Sequence, residues 1–66
     1  MKIFVNGQAG DYRPGLTIED LIACHRLSPE SALVELNGTA LHRRDWPGKI
    51  LKENDRIEIL QVAAGG

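Results

Sequence analysis

The sequence predicts an α+β domain in which a single helix covers one face of a small β-sheet. Three observations support this prediction: two Asn-Gly pairs that follow strand-like runs, one short segment with helical periodicity, and a final apolar run with alternating sides. The predicted order is hairpin, helix, strand, strand, irregular turn and strand. Because there is one helix, only one face of the sheet can be covered by it.

The first predicted element is a β-hairpin. Residues 1–6 are rich in apolar and β-favouring types, and Asn6-Gly7 is a strong signal for a tight hairpin turn. The returning strand is expected over about residues 9–13, before the Pro14-Gly15 pair.

The helix is predicted to begin after Thr17, whose hydroxyl suits the N-cap position. Asp20 stands three residues later and resembles the second half of a capping box. Ser28-Pro29 is expected to stop the helix near residues 25–26. The residues that share one helical face by their spacing are Ile18, Leu21, Ile22 and His25.

A second strand pair is predicted in the middle of the chain. Residues 32–37 form the third strand, Asn37-Gly38 the turn, and residues 40–42 a short fourth strand. Residues 43–48 are irregular, and Trp46 is expected to pack its indole at the edge of the core.

The last strand is predicted over residues 56–62, after a turn in which Asn54 takes the left-handed conformation. Side chains two apart share a face, so the residues expected to face the helix are Ile3, Val5, Val34, Leu36, Ile57 and Ile59. The residues expected on the uncovered face are Phe4, Leu60 and Val62, which form one apolar patch if the first and last strands are neighbours. A partner would explain that patch. The alternative is that Phe4 or Leu60 folds into the core edge.

Composition excludes several classes of function. The 66 residues make one small domain, 42% hydrophobic and 26% charged, as in a globular protein. The net charge of −1, without a basic block, gives no electrostatic footprint for nucleic acid. No apolar run is long enough for a membrane span or a signal peptide. The one cysteine, Cys24, fits a reducing compartment, so a cytoplasmic location is expected.

The sequence ends on Gly65-Gly66, and this ending is the strongest functional signal. It predicts a domain over residues 1–61 and a flexible C-terminal tail over residues 62–66. Glycine has the widest backbone freedom of any residue, so such a tail can enter a narrow slot and present its terminal carboxylate to a reagent. A frayed end without function is the alternative.

Three segments carry a resemblance to a known family: Arg43-Arg44-Asp45-Trp46, Asn54-Asp55-Arg56-Ile57, and the end from Gln61 to Gly66. With these segments the chain resembles the ThiS family, the sulfur carriers of thiamine biosynthesis, over nearly its whole length. The resemblance implies the β-grasp, or ubiquitin-like, fold, with a mixed sheet of four to five strands.

The resemblance also implies a mechanism in which the chain is a protein substrate and not an enzyme. A ThiF-like adenylating enzyme, using ATP and magnesium, would activate the Gly66 carboxylate. Sulfur from cysteine, supplied through a cysteine desulfurase, would convert it to a thiocarboxylate for a ThiG-like thiazole synthase. The chain itself would bind no cofactor or metal. The residues expected to contact the partners are Phe4, Leu60, Val62, Ala63 and Ala64, with Gly65 and Gly66 at the reaction centre.

Other functions remain open on the sequence alone. The small subunit of molybdopterin synthase shares the Gly-Gly end. A ubiquitin-like modifier would join Gly66 to lysine on its targets. A plain interaction domain would have an inert tail.

Overall fold

One helix lies against one face of a mixed five-stranded sheet in the computed structural model, which describes residues 1–62. The strands are β1 (Lys2–Val5), β2 (Gln8–Asp11), β3 (Ala32–Leu36), β4 (Thr39–Leu41) and β5 (Arg56–Gln61), and the helix is α1 (Ile18–Cys24). Short 3₁₀ turns occupy Pro29–Ser31 and Arg43–Gly48. The predicted element order and the single covered face are confirmed.

The strand order is β2-β1-β5-β3-β4, so β5 lies at the centre of the sheet. It is parallel to β1 and antiparallel to β3, and the two hairpins β1–β2 and β3–β4 form the flanks. The condition on which the predicted apolar patch depended, that the first and last strands are neighbours, is therefore met. The strand that precedes the C-terminal segment is held on both sides.

Both hairpin turns form where the Asn-Gly pairs predicted them. Asn6 and Gly7 have φ of 50° and 84°, and Asn37 and Gly38 have 51° and 86°. Two successive positive φ values match the right-handed twist of the flanking strands, and asparagine and glycine tolerate them best. Asn54 is also left-handed, at φ 69°, as expected.

The helix begins as predicted and ends for a different reason. Thr17 and Asp20 form the reciprocal capping box, with both hydrogen bonds at 3.1 Å. The end, however, comes well before Pro29: Arg26 takes φ 57°, and the backbone N–H groups of Arg26 and Leu27 bond back to Ala23 and Ile22. This is a Schellman ending. The expectation that Ser28-Pro29 stops the helix is wrong, because a left-handed residue has already ended it.

The core lies between α1 and the sheet. Val5 and Ile59 are partly buried against it, on the predicted side. Trp46 is only 2% exposed, so the indole is a core side chain. The buried hydrophobic residues that form the core are Ile3, Leu16, Ile18, Leu21, Ile22, Ala32, Val34, Leu36, Trp46, Leu51 and Ile57.

Candidate functional site

The end of β5 is fixed to the domain from both sides. On the β3 side Gln61 pairs with Ala32, and the Val62 N–H donates to the Ser31 carbonyl at 2.7 Å. On the other side β1 has ended, and the Asn6 side chain takes its place. Its Oδ1 accepts from the Ile59 N–H at 2.7 Å, and its Nδ2 donates to the Ile59 carbonyl at 3.2 Å. The hairpin asparagine thus continues the pairing of β5 by one further step.

The face of the sheet opposite α1 carries an apolar pair beside this strand end. Leu33 on β3 and Leu60 on β5 are directly opposed, and they are 58% and 63% exposed. Val62 follows on the same side by alternation and is 46% exposed. A groove of about 410 Å³ runs along this face between β4, β3 and β5. Contiguous apolar side chains with this exposure make the end of this face a candidate contact surface.

Phe4 does not join this pair, so the prediction of one continuous apolar patch is wrong. Its register partner on β5 is Arg56, and Leu60 lies four residues further along the strand, roughly 13 Å away. Its ring is half-buried beneath two cations, with the Arg56 guanidinium 4.4 Å and the Lys2 ammonium 5.3 Å from its centre. The parallel register of β1 and β5 separates the two ends of the face.

Leu33 was missed by the sequence reasoning, although a signal for it existed. It alternates with buried Val34 on β3, so simple parity puts it on the uncovered face. What parity could not supply is the pairing with Leu60, since that depends on which strand lies beside β3.

Acidic side chains extend the same face beyond the leucines. Glu35 and Glu58 are directly opposed on β3 and β5, one same-face step from the Leu33–Leu60 pair, and both are exposed. The uncovered face therefore consists of an apolar pair next to the tail, an acidic pair, and an aromatic ring under two cations.

The match to a known family extends from residue 3 to residue 66, which includes the Gly-Gly end. The chain belongs to the ThiS family. It is 30% identical to the sulfur carrier protein ThiS of Escherichia coli, over 100% of both chains. The crystal structure of the thiamine biosynthesis protein ThiS from Geobacter metallireducens superimposes with a TM-score of 0.85 at 29% identity, again over 100% of both chains.

A longer relative is the thiazole synthase of Magnetococcus marinus, which is 33% identical over 66 residues. The chain spans only 20% of the length of that protein. The predicted ThiS resemblance and the β-grasp fold are confirmed by the family match and by the Geobacter structure.

The tail residues of the predicted site, 63–66, lie outside the described residues. The roles assigned to Ala63, Ala64, Gly65 and Gly66, and the flexibility assigned to 62–66, stay predictions. Phe4, Leu60 and Val62 lie within the described residues, and the partner contacts assigned to them also stay predictions.

Three other side chains considered in the sequence are His25, Arg43 and Cys24, and the first two have local partners. The His25 ring nitrogen lies 3.0 Å from the Tyr12 hydroxyl, and Arg43 lies 3.8 Å from Glu30. Cys24 is exposed on α1. Residues 1–62 bring together no three side chains able to hold a metal ion, and they contain no helix long and apolar enough to span a membrane.

The carboxyl groups of Asp20 and Glu30 have lowered pKa values, because each accepts hydrogen bonds in its helix cap or turn. The Thr17 backbone N–H and then its side chain lower the pKa of Asp20. The Ser28 hydroxyl, followed by the Glu30 backbone N–H, lowers the pKa of Glu30. Both are hydrogen-bonded turn or cap positions, which favours the ionised form.

Proposed function

We propose that this protein is a sulfur carrier of thiamine biosynthesis, in which the Gly66 carboxylate becomes a thiocarboxylate. The observation that carries the proposal is that the family match runs through Gly66, while β5 ends at Gln61, paired with β3 up to that residue and with β1 and Asn6 as far as Ile59. A rigid domain ending in a Gly-Gly segment can deliver one acyl group into the active sites of larger enzymes.

The proposed chemistry begins with activation, because a carboxylate is a poor electrophile. Its oxygen attacks ATP in a ThiF-like adenylating enzyme, pyrophosphate leaves, and an acyl-adenylate forms. Sulfur that originates from cysteine arrives from a desulfurase as an enzyme-bound persulfide, whose terminal sulfur attacks the acyl carbon as AMP leaves. A thiol then attacks the enzyme-side sulfur of the resulting acyl disulfide, forms a disulfide with it and releases the thiocarboxylate. The resulting thiocarboxylate donates its sulfur to a ThiG-like thiazole synthase for the thiazole ring.

In this proposal the catalytic groups belong to the partners. The sequence contains no Gly-rich phosphate loop, so ATP and magnesium would be held by the adenylating enzyme. What this chain supplies is the pair Gly65-Gly66, whose lack of β-carbons leaves room in both active sites. The apolar pair Leu33–Leu60 beside the tail would contact the partner. We propose a cytoplasmic location for this chemistry, which the single cysteine of the sequence also favours.

Intact-mass spectrometry of the protein purified from its own cells tests the proposal. A carrier gains about 16 Da when oxygen is replaced by sulfur, and the modified fragment should contain Gly66. Covalent conjugates to other proteins would instead identify a ubiquitin-like modifier. A deletion strain that requires thiamine supports the thiazole route, whereas loss of molybdopterin would assign the chain to molybdopterin synthase.

A matched pair of glycine variants separates chemistry from folding. Gly66→Ala should abolish or strongly reduce adenylate formation without lowering the melting temperature. Gly48→Ala is the control, because a β-carbon there meets nothing within 4 Å and no positive φ is required. Equal adenylation of both variants would contradict the role given to Gly66.

A further inference from the structure

The opposed carboxylates of Glu35 and Glu58 are the feature of the uncovered face that folding alone does not explain. Directly opposed residues on antiparallel strands have Cβ atoms roughly 5 Å apart, and like charges at this position destabilise the sheet. Both side chains are exposed, so each could have been neutral at no cost to the core.

No cation of residues 1–62 forms an ion pair with these two carboxylates. The ion pairs of that segment are Arg13–Asp20 and Arg43–Glu30, and neither includes these carboxylates. The nearest same-face cation along β5 is Arg56, and its guanidinium lies over the Phe4 ring instead. On the β4 side, the residue opposite Glu35 is Ala40, which has no charge to offer.

The acidic pair and the apolar pair share one groove. Leu33–Leu60 and Glu35–Glu58 are successive same-face rungs of the β3–β5 ladder, roughly 7 Å apart, and both rungs line the groove of about 410 Å³. Val62 continues this surface toward the tail. An enzyme that takes the tail into its active site is therefore brought against both rungs at once.

We propose that the adenylating partner inserts one lysine or arginine side chain between Glu35 and Glu58 while an apolar side chain of the same enzyme covers Leu33 and Leu60. This inference rests on the proposed function, because it takes the partner to be the enzyme that receives Gly66. A cation between two carboxylates converts their repulsion into attraction and orients the carrier on the partner. A second copy is a poor occupant, since a symmetric contact centred here would bring the carboxylates of two copies together.

The test measures adenylation kinetics with the purified adenylating enzyme, using pyrophosphate release at varied carrier concentration. The variants are Glu35→Gln, Glu58→Gln and the double variant, which keep side-chain shape and remove charge. The control is Glu19→Gln, the same change on α1, away from the uncovered face. The KM of the double variant should rise about tenfold, as expected for the loss of a contact with a charged group. The KM of the wild type should also rise more steeply with salt than that of the double variant.

Stability provides the second readout and should move in the opposite direction. Removing the like-charge pair should raise the melting temperature of the free double variant by roughly 2–5 °C. A purely structural role would make binding and stability fall together. A melting temperature that falls, or a KM that does not change, would overturn the inference.

Three outcomes distinguish this inference from the proposed function. If the wild type is adenylated and the variants share its KM, only the cation contact is refuted. If the wild type is never adenylated, the proposed function fails first. If the variants are adenylated normally but deliver sulfur poorly to the thiazole synthase, or if sedimentation shows a dimer that the double variant alters, the face belongs to another occupant and the assignment is overturned.

Discussion

The Asn6 side chain is predicted to stabilise the strand that leads into the tail, and Asn6→Ala tests this directly. The substitution removes both hydrogen bonds to Ile59, at 2.7 and 3.2 Å. At an exposed site the pair contributes about 1 kcal/mol. Alanine at φ 50° costs about 1 kcal/mol more, because its β-carbon is strained in the left-handed region.

The expected total is about 2 kcal/mol, a large part of the stability of a domain this small. The melting temperature should fall by roughly 10 °C. Urea unfolding followed by fluorescence measures the free energy, since Trp46 is the only tryptophan and is buried. Amide hydrogen exchange adds local information: the Ile59 N–H should lose its protection.

Asn54→Ala is the matched control. Asn54 is also left-handed, at φ 69°, but its side chain makes no hydrogen bond to residues 1–62. It should therefore lose only the backbone contribution, about 1 kcal/mol, and keep Ile59 protected. Equal losses in the two variants, with Ile59 protected in both, would refute the reasoning and leave Asn6 with only a turn-forming role.

Four further predictions concern the helix and the core. Thr17→Ala should cost about 1 kcal/mol in urea unfolding. The pKa of Asp20 in the folded state lies below its ordinary 3.8, so the ionised carboxylate stabilises the folded protein. This stabilisation is complete above 3.8 and is lost as the pH falls through the lowered folded-state pKa. Asp20→Asn should therefore not show this loss of stability when unfolding is measured at decreasing pH. The stability of Trp46→Phe should stay within about 1 kcal/mol of the wild type by thermal circular dichroism. The buried Nε1 of Trp46 has no hydrogen-bond partner within residues 1–62, so removing this polar group offsets the cost of the lost ring volume. A loss above about 3 kcal/mol, as expected for Trp46→Ala, would contradict this. Arg26→Gly should stabilise the protein by about 0.5–1 kcal/mol in urea, because glycine takes φ 57° without strain, and a destabilised variant would disprove it.

Local signals predicted most of the fold because they act over a few neighbouring residues. The Asn-Gly pairs at 6–7 and 37–38 define their own turns through positive φ. The Thr17–Asp20 capping box needs only the first turn of the helix. The helix end was placed correctly within about two residues, but its cause was not, since no sequence rule marks arginine as a left-handed residue.

The candidate site was predicted less completely, because a face is made by strands distant in the sequence. Phe4 and Leu60 both point away from the helix by alternation, yet the register of β1 on β5 places Arg56 beside Phe4. Leu33 was missed for the converse reason: it becomes part of a pair only when β3 lies against β5.

By itself, the sequence determined the turns, the helix cap, the inward and outward alternation of each strand, and the Gly-Gly end that the family match includes. These follow from backbone conformation and side-chain periodicity, which are local properties. Only the tertiary structure decided that β5 lies between β1 and β3, that Asn6 continues its pairing, and that Glu35 meets Glu58 with no ion pair to either from the rest of residues 1–62. Those contacts join residues more than twenty positions apart, and their register is set by how the helix and all five strands bury one common core.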